Sequence, residues 1–293
     1  MRSMLFLPGD NERKIGKGAG FAADALVLDL EDSVVVDRKP LARELSRAYL
    51  DANPPAGRKK KLLVRINPLH SGWTLDDLAA IVGGAPDAVL LPKYRLPENV
   101  TLLDNWLTAL EVRDGVAPGT VKIMVIGTET AQGVLNLAGL TGISDRLSHI
   151  MWGEYDLGAD IGAQDQFLED GSWDDLYRMA RSMCLAAAVS AGVDAINTMH
   201  GDYKDPDGLR RKAEAARKAG FTGMPAIHPD QCAIINEAFS VGAKELDWSR
   251  RVIQAFADNP TEGTVGLDGI MLDLPHLTQA RKIVARAEAQ GVA

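Results

Sequence analysis

Residues 23–39 read ADALVLDLEDSVVVDRK. The run 25–30 is almost wholly apolar, as expected for a strand covered on both faces. It ends in Asp29, Glu31 and Asp32, and Asp37 follows closely. Carboxylates at the edge of a core are costly unless positive charge meets them. The stretch therefore sets two questions: which sheet buries this strand, and what waits at its end.

Seven further short apolar or β-rich runs occur, at 3–7, 62–66, 88–91, 122–126, 149–152, 195–198 and 223–227. Between them lie stretches with helical spacing of apolar residues, such as LARELSRAYL (41–50), LLDNWLTALEVR (102–113) and LRRKAEAARKAG (209–220). Alternation of strand and helix implies parallel strands. Eight of them predict a closed (β/α)8 TIM barrel over 1–239. The chain then continues: 243–259 reads as a helix, and 264–291 as a short extended element, a loop and a final helix. A closed barrel does not need this C-terminal helical extension (240–293), which is expected to pack on the barrel or on a neighbouring subunit. The stretch DANPPAGRKKK (51–61) reads as an exposed helix-to-strand connection.

A chain of 293 residues, 46% hydrophobic and 25% charged, can bury one large core. Its net charge of -8 argues against a nucleic-acid or anionic-membrane partner. The two cysteines, Cys184 and Cys232, form no CxxC pair, so neither a zinc ribbon nor a disulfide framework is expected. No apolar run approaches the ~20 residues of a membrane span. The apolar stretch in MRSMLFLPGD is too short for a signal peptide. The expectation is a soluble cytoplasmic protein. GKGAG (16–20) does not complete a GxGxxG fingerprint, because Phe21 takes the last position.

In a barrel of this kind chemistry lies at the C-terminal ends of the strands. The expected ends carry Asp10 after the first strand, Asp29, Glu31 and Asp32 after the second, and Arg65 and Asn67 after the third. They go on with Lys93, with Glu129, with Glu154, Asp156 and Asp160, with His200 and Asp202, and with His228. Any single acidic residue here reads equally well as a helix N-cap; the convergence of many does not. Oxygen ligands without thiolates or a histidine pair favour Mg²⁺, or Mn²⁺, over Zn²⁺. Glu129 and Asp156, on neighbouring strand ends, suit the metal. Glu31 and Asp32 suit water ligands in an outer shell. The alternative is that Glu31 and Asp32 simply pair with Arg65 or Lys93.

The stretches RSMLFLPGDNERKIGK, DALVLDLEDSV, LLVRIN, LLPK, IGTETAQGVLNL, WGEYDLGADIG, GFTGMPAIHP and GIMLDLP, in order along nearly the whole chain, resemble the citrate lyase β-subunit-like family, related to the HpcH/HpaI aldolases. The resemblance implies a Mg²⁺-binding barrel that cleaves or forms a C–C bond between a 2-oxo acid and an acyl thioester. It implies metal ligands at Glu129 and Asp156 and a substrate arginine at Arg65. CoA or substrate contacts would fall at Phe6, Arg13, Lys17, Ile227 and His228. It also implies a catalytic aspartate at Asp273, supplied by an adjacent subunit in a homotrimer or hexamer. Four positions depart from the pattern: Phe6 where some CoA lyases carry tyrosine, Tyr155 where relatives are often acidic, and Met224-Pro225 where a lysine and a polar residue are common.

On that resemblance the expected substrate is a 3-hydroxyacyl-CoA such as malyl-CoA or citramalyl-CoA. The 2-oxo acid would be of the glyoxylate, pyruvate or oxaloacetate class. Arg65 would stabilise oxyanion charge, and Asp273 would move the proton at the enolate carbon. Arg13 and Lys17, one helical turn apart, would face CoA phosphates. The competing readings are a citrate lyase β subunit acting on a carrier-bound acyl group, a free 2-oxo-acid aldolase of the HpcH type, and a metabolite-binding barrel without catalysis. Bland readings remain for Asp273 as the cap of the last helix, for His228 as a structural hydrogen-bonding residue, and for His200 with Asp202 as a polar pair.

Overall fold

The structure, a computed structural model, describes residues 1–292. Eight strands alternate with helices, each strand opening one unit. β1 (Ser3–Pro8) leads to α1 (Glu12–Lys17), β2 (Ala25–Asp29) to α2 (Lys39–Ala52), and β3 (Lys61–Arg65) to α3 (Thr74–Ile81). β4 (Ala88–Leu91) leads to α4 (Pro97–Asp114) and β5 (Lys122–Ile126) to α5 (Ala131–Asn136). β6 (Leu147–Met151) is followed by α6 (Tyr155–Ile161) and α7 (Asp175–Ser190). β7 (Asp194–Ile196) leads to α8 (Pro206–Ala219), and β8 (Met224–Ala226) to α9 (Pro229–Phe239).

All strand pairs in this sheet are parallel, in the order β7-β6-β5-β4-β3-β2-β1-β8. Its two ends meet at the Ile196–Gly223 bridge, where Thr222 N–H donates to Ala195 O and Asn197 N–H to Gly223 O, each at 2.8 Å. The eight expected strands are thus present in a TIM-type barrel. The sixth starts earlier than its apolar run, because Ser148 and His149 break the apolar pattern without breaking the ladder.

Alternate residues point inward. Met4, Ala25, Val27, Leu63, Ala88, Leu90, Met124, Ile126, Met151 and Ile196 fill the interior, with Phe6 packed against them. The same parity carried two residues further puts Asp29 above Val27 and Arg65 above Leu63. Register then sets Asp29 beside Arg65. The site is therefore the polar continuation of the apolar core. Around the sheet, α2 buries Ala42, Ser46 and Leu50 at helical spacing. The 51–61 connection is pinned at Arg58, which bonds Asp87, and at Lys60, which bonds the carbonyls of Phe21 and Ala23.

The chain divides into two compact units, Met1–Ala238 and Phe239–Ala293. The second holds α10 (Ala243–Asp258), β9 (Thr264–Leu267), β10 (Ile270–Asp273) and α11 (Leu274–Ala289). Its own core is Val252, Phe256, Val265, Leu272, Leu277 and Ala280. The sequence predicts one extended element and a loop here; the structure has an antiparallel hairpin. Its turn is Asp268-Gly269, with φ of 52° and 79°, the left-handed pair of a two-residue hairpin turn. The Asp-Gly dipeptide was the available signal. No helix among the described residues is long and apolar enough to cross a membrane.

Candidate active site

Asp29 is the hub of the barrel mouth. It is buried and takes a two-pronged contact from Arg65, Nε to Oδ1 and Nη2 to Oδ2, both 2.7 Å. The N–H groups of Glu31 and Ser33 donate to the same carboxylate at 3.0 and 3.2 Å. Burial works against its charge, but Arg65 and these donors outweigh it and hold Asp29 below the usual carboxylate range. Arg65 is pushed up in turn: burial opposes its charge, and Asp29, Glu31 and Glu129 overcome that. Its guanidinium also lies over the Phe6 ring, 5.3 Å from the centroid. Gly9 makes room for this strand end. Its N–H bonds Asp29 O at 2.8 Å, and a Cβ there would sit 2.7 Å from the same oxygen.

Glu31 stands between two cations. Lys93 Nζ is 2.6 Å from Oε1, and Arg65 Nη1 is 2.8 Å from Oε2. The second contact has ion-pair distance without hydrogen-bond alignment, so Oε2 is a buried oxygen with no donor aimed at it. Burial, with help from Asp32, raises the Glu31 carboxyl despite both cations. Asp32 pairs with Lys93 at 3.1 Å. Glu31 is thus paired with both Arg65 and Lys93, and Asp32 with Lys93. Lys39 bonds the carbonyls of Leu30 and Glu31 at 2.8 and 3.1 Å.

Glu129 follows β5 and is buried. It accepts one hydrogen bond, 2.6 Å from the Lys93 backbone N–H. Burial, then the negative fields of Asp156 and Glu31, push its carboxyl up to about 8. Asp156 lies in the first turn of α6, partly exposed, with Lys93 Nζ at 3.4 Å. The two strand ends that carry Glu129 and Asp156 are clamped together: Gly153 N–H donates to Thr128 Oγ1 at 2.9 Å, and Thr128 Oγ1 donates to Gly153 O at 3.1 Å. A Cβ on Gly153 would come within 2.9 Å of Glu129 Cγ, so this position sets how Glu129 lies. Thr130 ties the same loop to Tyr94 O at 2.7 Å, one residue past Lys93.

Asp29, Glu31, Asp32, Glu129 and Asp156 thus gather around Lys39, Arg65 and Lys93, an excess of two negative charges when all are ionised. A divalent cation matches that excess. No group of three or more His, Cys, Asp or Glu side chains among the described residues is placed to hold a metal. A cation here would take Glu129 and Asp156 and fill its remaining positions with water and ligand oxygens, which is the habit of Mg²⁺. The orphaned Glu31 Oε2 is a ready acceptor for such a water.

Arg13 and Lys17 are exposed on α1, around the buried Ile15. Ile227 is exposed just after β8. His228 stacks on Tyr203, with ring centroids 5.1 Å apart, and its Nδ1 accepts from Asp230 N–H at 3.4 Å. His200 pairs with Asp205 at 3.6 Å, and Asp202 instead accepts from Lys204 N; the expected His200–Asp202 pair is not formed. Asp273 belongs to the C-terminal unit and is the N-cap of α11. Its Oδ1 lies 2.5 Å from His276 Nδ1, and its side chain is 45% exposed. Sequence reading assigned no role to Asp29, Thr128 or Gly153. Asp29 had a signal, inward parity at the end of an apolar strand; the other two act through local geometry that no pattern announces.

Comparison with known proteins places the chain in a family. Residues 2–229 match the model of the HpcH/HpaI aldolase/citrate lyase family. A (3S)-malyl-CoA thioesterase of Cereibacter sphaeroides is 34% identical, over 98% of this chain and 95% of that protein. The citrate lyase subunit beta of Escherichia coli is 32% identical, over 99% and 94%. Among solved structures, the protein CitE of Mycobacterium tuberculosis in complex with magnesium, acetoacetate and coenzyme A superposes with a TM-score of 0.77, at 33% identity over 98% of each chain. With residues 2–229 matching the family model and relatives at 32–34% identity over nearly all of the chain, the chain belongs to the HpcH/HpaI aldolase/citrate lyase family of enzymes.

Proposed function

We propose that this chain is a Mg²⁺-dependent carbon–carbon lyase that cleaves, or forms, a 3-hydroxyacyl-CoA of the malyl-CoA or citramalyl-CoA type. The products would be a 2-oxo acid and acetyl-CoA or another acyl-CoA. The observation that carries it is the barrel-mouth cluster: five carboxylates around three cationic side chains, Glu129 raised by its neighbours, and a fixed arginine alongside. Relatives whose names specify malyl-CoA and a bound magnesium with coenzyme A support the substrate class.

Glu129 and Asp156 would hold the cation, which when bound acts as a Lewis acid toward the substrate's oxygens. Arg65 is oriented by Asp29, and its Nη1 donates no aligned hydrogen bond within the protein among the described residues. That nitrogen, in an ion pair 2.8 Å from Glu31 Oε2, would turn to a substrate carboxylate or a developing oxyanion, where fixed donors are most effective. Phe6 lies over one face of the guanidinium. Asp273, contributed by a second copy of the chain in a trimer or hexamer, would carry the proton to or from the acyl α-carbon. Its exposure and its flanking exposed apolar residues Met271 and Leu274 support a role at an interface between copies. Arg13, Lys17, Ile227 and His228 would serve the CoA moiety.

A second reading, an acyl group carried by a partner protein, is favoured by the likeness to citrate lyase subunit beta. One assay separates the possibilities. With Mg²⁺ and malyl-CoA, appearance of glyoxylate and acetyl-CoA, abolished by EDTA, is the expected result. Malate and free CoA without glyoxylate would replace the lyase with a thioesterase. No turnover of any free thioester would transfer the case to the carrier-bound substrate. Asp273→Asn is expected to lower turnover by about 10²- to 10⁴-fold while the Mg²⁺-induced rise in Tm persists; undiminished turnover removes Asp273 from the mechanism.

A further inference from the structure

Lys93 makes contacts that neither the fold nor substrate binding requires. Its φ is +50°, in the left-handed region that a glycine enters freely and a long side chain does not. The other two non-glycine residues with positive φ among those described are Ala85 and Asp268, and Asp268 sits in the hairpin turn. At Lys93 the same backbone turn aims its N–H at Glu129 Oε2, 2.6 Å away. The side chain then reaches three carboxylates: Glu31 at 2.6 Å, Asp32 at 3.1 Å and Asp156 at 3.4 Å. Lys212, the comparable half-buried lysine on the β6–β7 side, meets one carboxylate, Glu154, and the Met199 carbonyl. Strain held at a functional site invites a functional reason.

We propose that Lys93 is the positioning residue of the cation site: its backbone N–H orients Glu129, and its ammonium supplies positive charge among Glu31, Asp32 and Asp156 that a divalent cation has to compete with. This rests on the reading that Glu129 and Asp156 hold Mg²⁺. Its longest contact, to Asp156, is the one that yields when the cation arrives, and Glu31 and Asp32 keep the ammonium in place. Lys93 therefore works against metal affinity and for metal-site order. The two effects part company in a variant that keeps the backbone turn and loses the charge.

Lys93→Asn is that variant, because asparagine tolerates the left-handed conformation. The test is calorimetric titration of MgCl₂ into the full chain stripped with EDTA, for wild type, Lys93→Asn and Lys93→Arg. The expected result is a Kd for Mg²⁺ at least about tenfold lower in Lys93→Asn, since a unit charge a few ångströms from the ligands is gone, with kcat at least about tenfold lower once Glu31 and Asp32 lose their partner. Lys93→Arg keeps the charge and stays within about threefold of wild type in Kd. An unchanged or weaker Mg²⁺ affinity in Lys93→Asn overturns the proposal, because a merely structural lysine would give that outcome. Lys93→Gln carries the same test should Lys93→Asn not fold. A wild-type chain that takes up no Mg²⁺ overturns the metal reading itself, and is recognised before any variant is measured.

Discussion

Two buried glutamates on this barrel live opposite lives. Glu111, near the end of α4, has both oxygens filled: Val121 N at 2.7 Å and Arg146 Nη1 at 3.0 Å on one, Gly119 N at 2.8 Å and Arg146 Nη2 at 2.7 Å on the other. Burial works against its charge, yet Arg146 and the two backbone donors hold its carboxyl below the usual range. Glu129, at the opposite end of the strands, receives one backbone N–H and faces two other carboxylates. Burial alone does not decide the state of a carboxylate; the number of donors aimed at it does. Where donors saturate the acid, the cluster is a rivet between β5, β6 and α4. Where they fall short, the protein has left room for something positive.

The contrast breaks most readily by substitution. Glu129→Gln should lower turnover by about 10³-fold or more, the several kcal/mol a Lewis acid supplies, and should erase the Mg²⁺-induced rise in Tm. Its stability in EDTA at pH 8 should nonetheless equal or exceed that of wild type. Glu111→Gln should do the reverse. It leaves Arg146 short of a buried partner and should cost about 3–5 kcal/mol in urea unfolding, with turnover of the folded enzyme unchanged. If Glu129→Gln proves the more destabilising of the two, the comparison fails.

Arg65→Lys sharpens it further. A lysine cannot reproduce the two-pronged contact with Asp29. Turnover should fall by about 10²-fold, the scale of one lost fixed donor, while the Kd for Mg²⁺ changes by less than about threefold.

The smallest effect is the pH dependence of the metal-free protein. The Glu129 carboxyl is raised to about 8 in the fold against about 4.3 in an unfolded chain. Between those values the native state binds more protons than the unfolded one, so stability falls as pH rises through this window. Glu111 has the opposite sign: its contribution is present above its unfolded value and is lost as pH falls through its lowered folded value. Urea unfolding in EDTA from pH 5 to pH 8 should show the decline in wild type and a shallower one in Glu129→Gln, where Glu31 stays raised. A flat wild-type profile contradicts the raised carboxyl.

The sequence by itself determined the barrel. Eight apolar runs alternating with helical patterns left few other topologies, because buried parallel strands demand that composition. It also placed Glu31, Arg65, Glu129 and Asp156 at strand ends, since strand order and chemistry at one face follow from the fold class. What it could not supply was pairing. Whether Glu31 binds a cation or an arginine depends on distances between strands far apart in the chain, and those are set by register and side-chain packing. The same holds for the Lys93 backbone turned into the left-handed region, the Thr128–Gly153 clamp and the Asp268-Gly269 hairpin ahead of Asp273. Residue type and period fix which face a side chain occupies. Only tertiary structure brings the partners into contact, and through them decides which buried acid is saturated and which is left waiting for charge.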